Sequence, residues 1–136
     1  MKTTNEITQW GTRSVSFWLT LLLAAGIIFV GARFIVDPAA GATGFSIPFS
    51  NTADYAYGRI KGIRDIFSGL VLLPLLWLRM RKAVAYVFTT AIIVPATDFL
   101  IVLTTNGPGD VTHMLIHGGT ALFMVFVSVL LFRRKE

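Results

Sequence analysis

Arg64, Asp65, Asp98, His113 and His117 are the side chains whose types and spacing carry chemistry in this sequence. Each stands inside or at the margin of a long apolar run. Ionised groups at such depth cost about 2.5–3.5 kcal/mol each on insertion scales, so they face a partner or a wet cavity. Four uses of them compete. They satisfy one another as helix–helix glue, or they anchor the polar head of a small, largely apolar molecule between helices. A third use is acid–base catalysis, with a carboxylate raised in pKa by burial as donor and a histidine or the second carboxylate as acceptor. The fourth is a metal site. His113 and His117 are four apart and share a helix face, but without a pattern such as H-E-x-x-H the spacing alone does not make a site. No metal and no cofactor is expected.

The elements that position these groups follow from composition. Hydrophobic residues make up 54% of the 136 and charged residues 14%, against about 25% charged in an ordinary soluble domain. The deficit points to an integral membrane protein of one domain. The absence of cysteine removes disulfides and thiolate chemistry. The net charge of +5 does not imply nucleic acid, because the basic residues sit at the ends of apolar runs, not along one polar face.

Four runs are long enough to cross a bilayer, at roughly 20 residues for ~30 Å of hydrocarbon: about 15–36, 58–78, 83–103 and 111–132. Trp10 and Trp18 bracket the start of the first at headgroup depth. The first run is too long for a signal-peptide core and is expected to be retained. In the second, Gly58, Gly62 and Gly69 lie near one face and permit close helix contact, and Pro74 should kink the helix. Pro95 opens the third helix just before Asp98. Residues 37–57 hold Pro38, Gly41, Gly44 and Pro48, so no single regular element is expected there. Phe45, Phe49, Tyr55 and Tyr57 make this outer loop aromatic enough to fold over the bundle mouth or lie at the membrane surface.

Lys2 and Arg13, then Arg79, Arg81 and Lys82, then Arg133, Arg134 and Lys135 fall on one side of a four-span chain. The positive-inside rule makes that side cytoplasmic, with both termini inside. With ~1.5 Å per helical residue, Arg64 and Asp65 lie roughly 9 Å below the outer start of the second span, Asp98 roughly 8 Å below the outer end of the third, and His117 roughly 9 Å into the fourth. Three helices therefore bring polar groups to one layer of the outer half. The economical pairing is Arg64 with Asp98, and Asp65 with a histidine or with Arg33. The inner half has no matching layer, which argues against a channel, and no repeat suggests a transporter.

Lys61-Gly62-Ile63-Arg64-Asp65 opening the second span, Asp98 late in the third and His117-Gly118 in the fourth resemble the domain-of-unknown-function family 4267. The resemblance runs over about Ser14 to Phe132. It implies a four-helix membrane domain and assigns no activity. A looser likeness of architecture links the chain to membrane sterol isomerases and related terpene cyclases, which bury acids and aromatic residues in a bundle open to lipid. It implies proton-driven isomerisation, cyclisation or epoxide opening of a lipophilic substrate. In that scheme Asp98 or Asp65 is the acid and His117 the base. Arg64 fixes the carboxylate or holds an anionic part of the ligand, and Tyr55, Tyr57 and Phe49 cover the mouth.

The sequence thus supports an all-α, four-helix transmembrane bundle, multi-pass in the cell membrane (in a bacterium, the inner membrane). Its working part is an outward-opening polar pocket for a small lipophilic or amphipathic molecule. Asp98, His117 and Asp65 are its candidate chemical groups; Arg64, Arg33, Tyr55, Tyr57 and His113 are candidates for ligand contact. The alternatives are an acid–base membrane enzyme and a structural or partner-binding protein. The expected partners are the bilayer, a lipophilic ligand and further copies of the chain.

Overall fold

Val15–Val36 carries no charge before Arg33 and forms helix α1 without interruption. The computed structural model describes residues 10–133; of the basic residues on the side expected to be cytoplasmic, Lys2, Arg134 and Lys135 lie outside them. A short helix α2 (Pro38–Phe45) follows, then a 3-10 turn (Thr52–Asp54), α3 (Tyr55–Trp77), α4 (Arg81–Ala91), α5 (Ile93–Asn106) and α6 (Val111–Phe132). No strand occurs among the described residues.

Helix α2 lies inside the stretch that its glycines marked as irregular. Asp37 accepts a hydrogen bond from the Ala40 amide at 3.0 Å and Pro38 occupies the first turn, a cap and a pre-set φ that together start a helix. The segment is still not one element: extended backbone and the 3-10 turn complete it. The third expected run is two helices. Pro95 offers no N–H to the Ala91 carbonyl four residues back and crowds it, and α4 ends at Ala91. By contrast α3 runs through Pro74 to Trp77.

Glycine sets the α1–α3 crossing. A Cβ on Gly31 would stand 2.5 Å from the Gly62 carbonyl, and one on Gly69 would stand 2.6 Å from the Ala24 carbonyl. The order of these contacts makes the two helices antiparallel, with backbones closer than any side chain allows. Helix α6 lies antiparallel to α4 and α5: Thr89 Oγ1 donates to Ser128 Oγ at 3.0 Å, and Phe99 packs over Gly118.

The apolar core occupies the half of the molecule near Trp10. It joins Trp10, Ala24, Leu72, Leu76, Val84, Ala85, Phe88, Met124, Val127 and Leu131. Trp18 is exposed as an interfacial residue would be, but Trp10 is 1% exposed. Its ring meets Phe17 edge-on and its Nε1 donates to Ser16 Oγ at 3.0 Å, so it seals the core and does not face lipid.

Large apolar side chains are exposed on every long helix, Phe29, Phe67, Leu115 and Leu122 among them, far beyond what a water-soluble surface carries. Among the described residues three helical stretches are long and apolar enough to cross a membrane: Val15–Val36, Arg81–Asn106 and Val111–Phe132. Helix α3 has the length, with 23 residues. Its first turns hold Arg59, Lys61, Arg64 and Asp65, so its composition falls short.

Candidate functional site

Away from the core, the other half of the molecule is where the polar groups meet. Asp65 lies on the packed stripe of α3 with Gly58, Gly62 and Gly69, and is 7% exposed. One turn earlier on the same helix, Lys61 Nζ stands 2.5 Å from Asp65 Oδ2. The ammonium lies over two rings, 4.8 Å from the Phe34 centroid and 5.4 Å from that of Phe45. Phe45 ends α2, and its ring centroid is 4.7 Å from the His117 imidazole. One aromatic ring thus touches both an ammonium and an imidazole, and its π face favours the cation.

Asp98 Oδ2 is 3.9 Å from His117 Nδ1, beyond hydrogen-bonding distance. Phe99 against Gly118 brings α5 and α6 close enough for the pairing. His117 Nε2 is buried and makes no hydrogen bond of normal geometry; the Phe45 backbone is near enough for a distorted one. Lys61, His117 and Asp65 are the ionisable groups whose fields reach Asp98. Two carboxylates, one ammonium and one imidazole are therefore gathered from three helices under the end of a fourth.

A second cluster ties α2 to the start of α6. Asp110 caps α6 and takes a 2.7 Å contact from His113 Nδ1. Ser46 Oγ donates to its other oxygen. Asn106 Nδ2 stands 2.8 Å from that oxygen and from the Ser46 carbonyl and hydroxyl. Ser46 adopts φ 78 to reach this position, the left-handed conformation in which a helix end is closed off. Its hydroxyl, with His113 and Asn106, holds the Asp110 carboxyl far below the usual carboxylate range. A carboxyl depressed in the folded state contributes stability above its unfolded pKa of about 3.9 and loses it as pH falls toward the folded value. The melting-temperature gap between wild type and Asp110→Asn is therefore expected to be constant above about pH 5 and to narrow steadily below pH 4. A gap that stays constant to pH 2.5 would show that the network holds nothing in place.

A family model described as a domain of unknown function (DUF4267) matches residues 24–131. The chain belongs to this family. The matched stretch of the DUF4267 chain takes in both polar clusters, from Phe34 to His117. No curated protein and no solved structure matches the chain.

Of the site residues expected from the sequence of this DUF4267 protein, Asp65, Asp98 and His117 come together. The expected ion pairs do not form. Arg64 is exposed and makes no ion pair among the described residues, and Asp65 is taken by Lys61, not by a histidine or Arg33. Arg64 is about 100° around the helix from Asp65, and Asp65 holds the packed side. Arg33 is exposed beside Gly44. Tyr55 meets Phe49 with ring centroids 6.0 Å apart, Tyr57 is 70% exposed, and His113 belongs to the Asp110 cluster. Among the described residues no three of His, Cys, Asp and Glu are grouped as a metal site would need. Lys61 and Phe45 are the members that sequence reading passed over as site groups. The i,i+4 spacing of Lys61 and Asp65 was the available signal; Phe45 gave none beyond its place in an aromatic loop.

Proposed function

We propose that this protein is a four-helix, multi-pass protein of the cell membrane with both termini cytoplasmic, and that the layer of Lys61, Asp65, Asp98 and His117 beneath Phe45 binds a small lipophilic or amphipathic molecule. The orientation is supported by the gathering of Arg13, Arg79, Arg81, Lys82 and Arg133 at one end. With α3 as the fourth span, Arg59 and Arg64 extend along the surface to reach headgroups.

The observation that carries the binding reading is His117 Nε2. A buried polar nitrogen short of a well-formed hydrogen bond costs about 1–3 kcal/mol; Ser14 and Thr20 hydroxyls are likewise unpaired, but His117 alone stands among ionisable groups from other helices. A ligand hydroxyl or carbonyl would supply the missing bond once the Phe45 ring moves off the imidazole. Acid–base chemistry is the second reading, favoured by the 3.9 Å gap between Asp98 and His117, since catalytic contacts are often long until substrate binds.

Two measurements test this. In protein carrying 15N-labelled histidine, 1-dodecanol or dodecanoate added to the detergent should shift the His117 ring resonances saturably and leave those of His113 behind. Equal movement of both histidines, or none, defeats the proposal. Independently, His117→Phe should melt at or above the wild-type temperature without ligand, because it removes an unpaired nitrogen at similar volume. A fall of several degrees would make the layer glue.

A further inference from the structure

We propose a second site, unrelated to the polar layer: the groove between α4 and α6 at the basic end of the molecule holds an acyl chain of an anionic phospholipid, with the phosphate on Arg133. The groove is shallow and open along its outer side, offers about 490 Å³, and is lined by Thr89, Ile92, Val125, Ser128, Val129 and Phe132, with Arg133 beside them. Its two hydroxyls are turned to each other, Thr89 Oγ1 donating to Ser128 Oγ at 3.0 Å. The groove therefore presents hydrocarbon along its length and a cation at one end.

Charge selects the occupant. Arg79, Arg81, Lys82 and Arg133 stand at this end. The carboxylates among the described residues are Asp37, Asp54, Asp65, Asp98 and Asp110; Asp98 lies in the outer half of the Arg81–Asn106 stretch, Asp65 in the outer half of α3, and the others beyond the outer helix ends. Arg81 is committed to the end of α6, its Nε donating to the Leu131 carbonyl at 2.9 Å and its Nη2 to that of Leu130 at 3.0 Å. It also donates to the Arg133 carbonyl, which fixes the backbone of Arg133 at the groove. The Arg133 side chain makes no ion pair among the described residues. A guanidinium held at the mouth of an apolar groove matches a phosphate above a chain. The depth agrees: Trp77 and Tyr86 are exposed at the same end, where aromatic residues meet headgroups. A second copy of this chain would bring the same positive end and be repelled.

Native mass spectrometry of the delipidated full chain tests the site, with phosphatidylglycerol and phosphatidylcholine of matched oleoyl chains as probes. The expected result is a one-to-one adduct at least fivefold stronger with phosphatidylglycerol. Val129→Trp, which fills the groove, should remove the adduct. Arg133→Gln lies on the surface and should leave helicity unchanged while cutting the preference below twofold. Equal binding of the two lipids overturns the proposal, and so does a preference that survives Arg133→Gln. An adduct indifferent to Val129→Trp, an equal response to glycerol 3-phosphate without chains, or a protein dimer in place of the lipid adduct would overturn it too.

Discussion

Gly62→Leu is expected to lower the detergent melting temperature by more than about 10 °C, from a loss above about 4 kcal/mol. A Cβ at Gly62 would stand 2.6 Å from the Gly31 carbonyl oxygen and 2.8 Å from Ile35 Cγ1. The first of these is backbone and has no rotamer to yield with, so α1 and α3 must separate. Separation undoes more than one contact, because Phe34 packs beside Gly62 and Lys61 stacks on Phe34. Gly26 on α1 is the control: nothing lies within 4 Å of its would-be Cβ. Gly26→Ala should leave the melt unchanged or raise it slightly, since alanine exceeds glycine by about 1 kcal/mol in helix propensity. A wild-type melt for Gly62→Leu would mean that the helices do not cross there.

The parts of the fold legible in the sequence are those where one physical rule acts alone. The first and last helices carry long apolar runs broken only near their outer ends, by Arg33 and by His113 and His117, and their bounds at Val15–Val36 and Val111–Phe132 were readable from length and hydropathy. The glycine face of α3 was readable for the same reason, one residue type at helical spacing. Helix α2 was hidden by competing signals. Gly41 reads as a breaker, yet it is there because a Cβ would meet the Phe34 ring at 2.8 Å, while Asp37-Pro38 is a start signal. The Pro95 opening was legible, but not that it would divide the run into two helices.

The same distinction explains the site. Depth along a helix is linear in residue number, so Asp65, Asp98 and His117 could be placed in one layer. Azimuth depends on which face packs. Gly58, Gly62, Asp65 and Gly69 form the packed stripe of α3, and Arg64 cannot join it. Had azimuth been drawn from the glycines, Arg64 would have been turned outward and Lys61, at i,i+4 to Asp65, set beside it. Phe45 reaches the layer only because α2 folds back and Ser46 is tied to Asp110, a long-range arrangement that no local pattern announces.

Lys61→Met should therefore cost far more than Arg64→Met, although the two cations are three residues apart on one helix. Lys61 is the ammonium 2.5 Å from Asp65, whose side chain is 10% exposed, and its field also reaches Asp98. Removing it leaves the buried Asp65 without its ion-pair partner. Breaking a fully buried pair costs about 3–5 kcal/mol; with Lys61 about a third exposed to solvent, the loss should fall toward or below the lower end of that range. Arg64 has no ion-pair partner among the described residues, so its loss should stay within about 0.5 kcal/mol. The double variant Lys61→Met with Asp65→Leu separates the pair from the shape of the site: it takes away the stranded carboxylate and should recover most of the lost stability, because an apolar replacement of a buried ion pair is often neutral. Failure to recover would mean that Lys61 serves Asp98 more than Asp65. Equal costs for Lys61→Met and Arg64→Met would mean that the charges of α3 are not ordered by its glycine face.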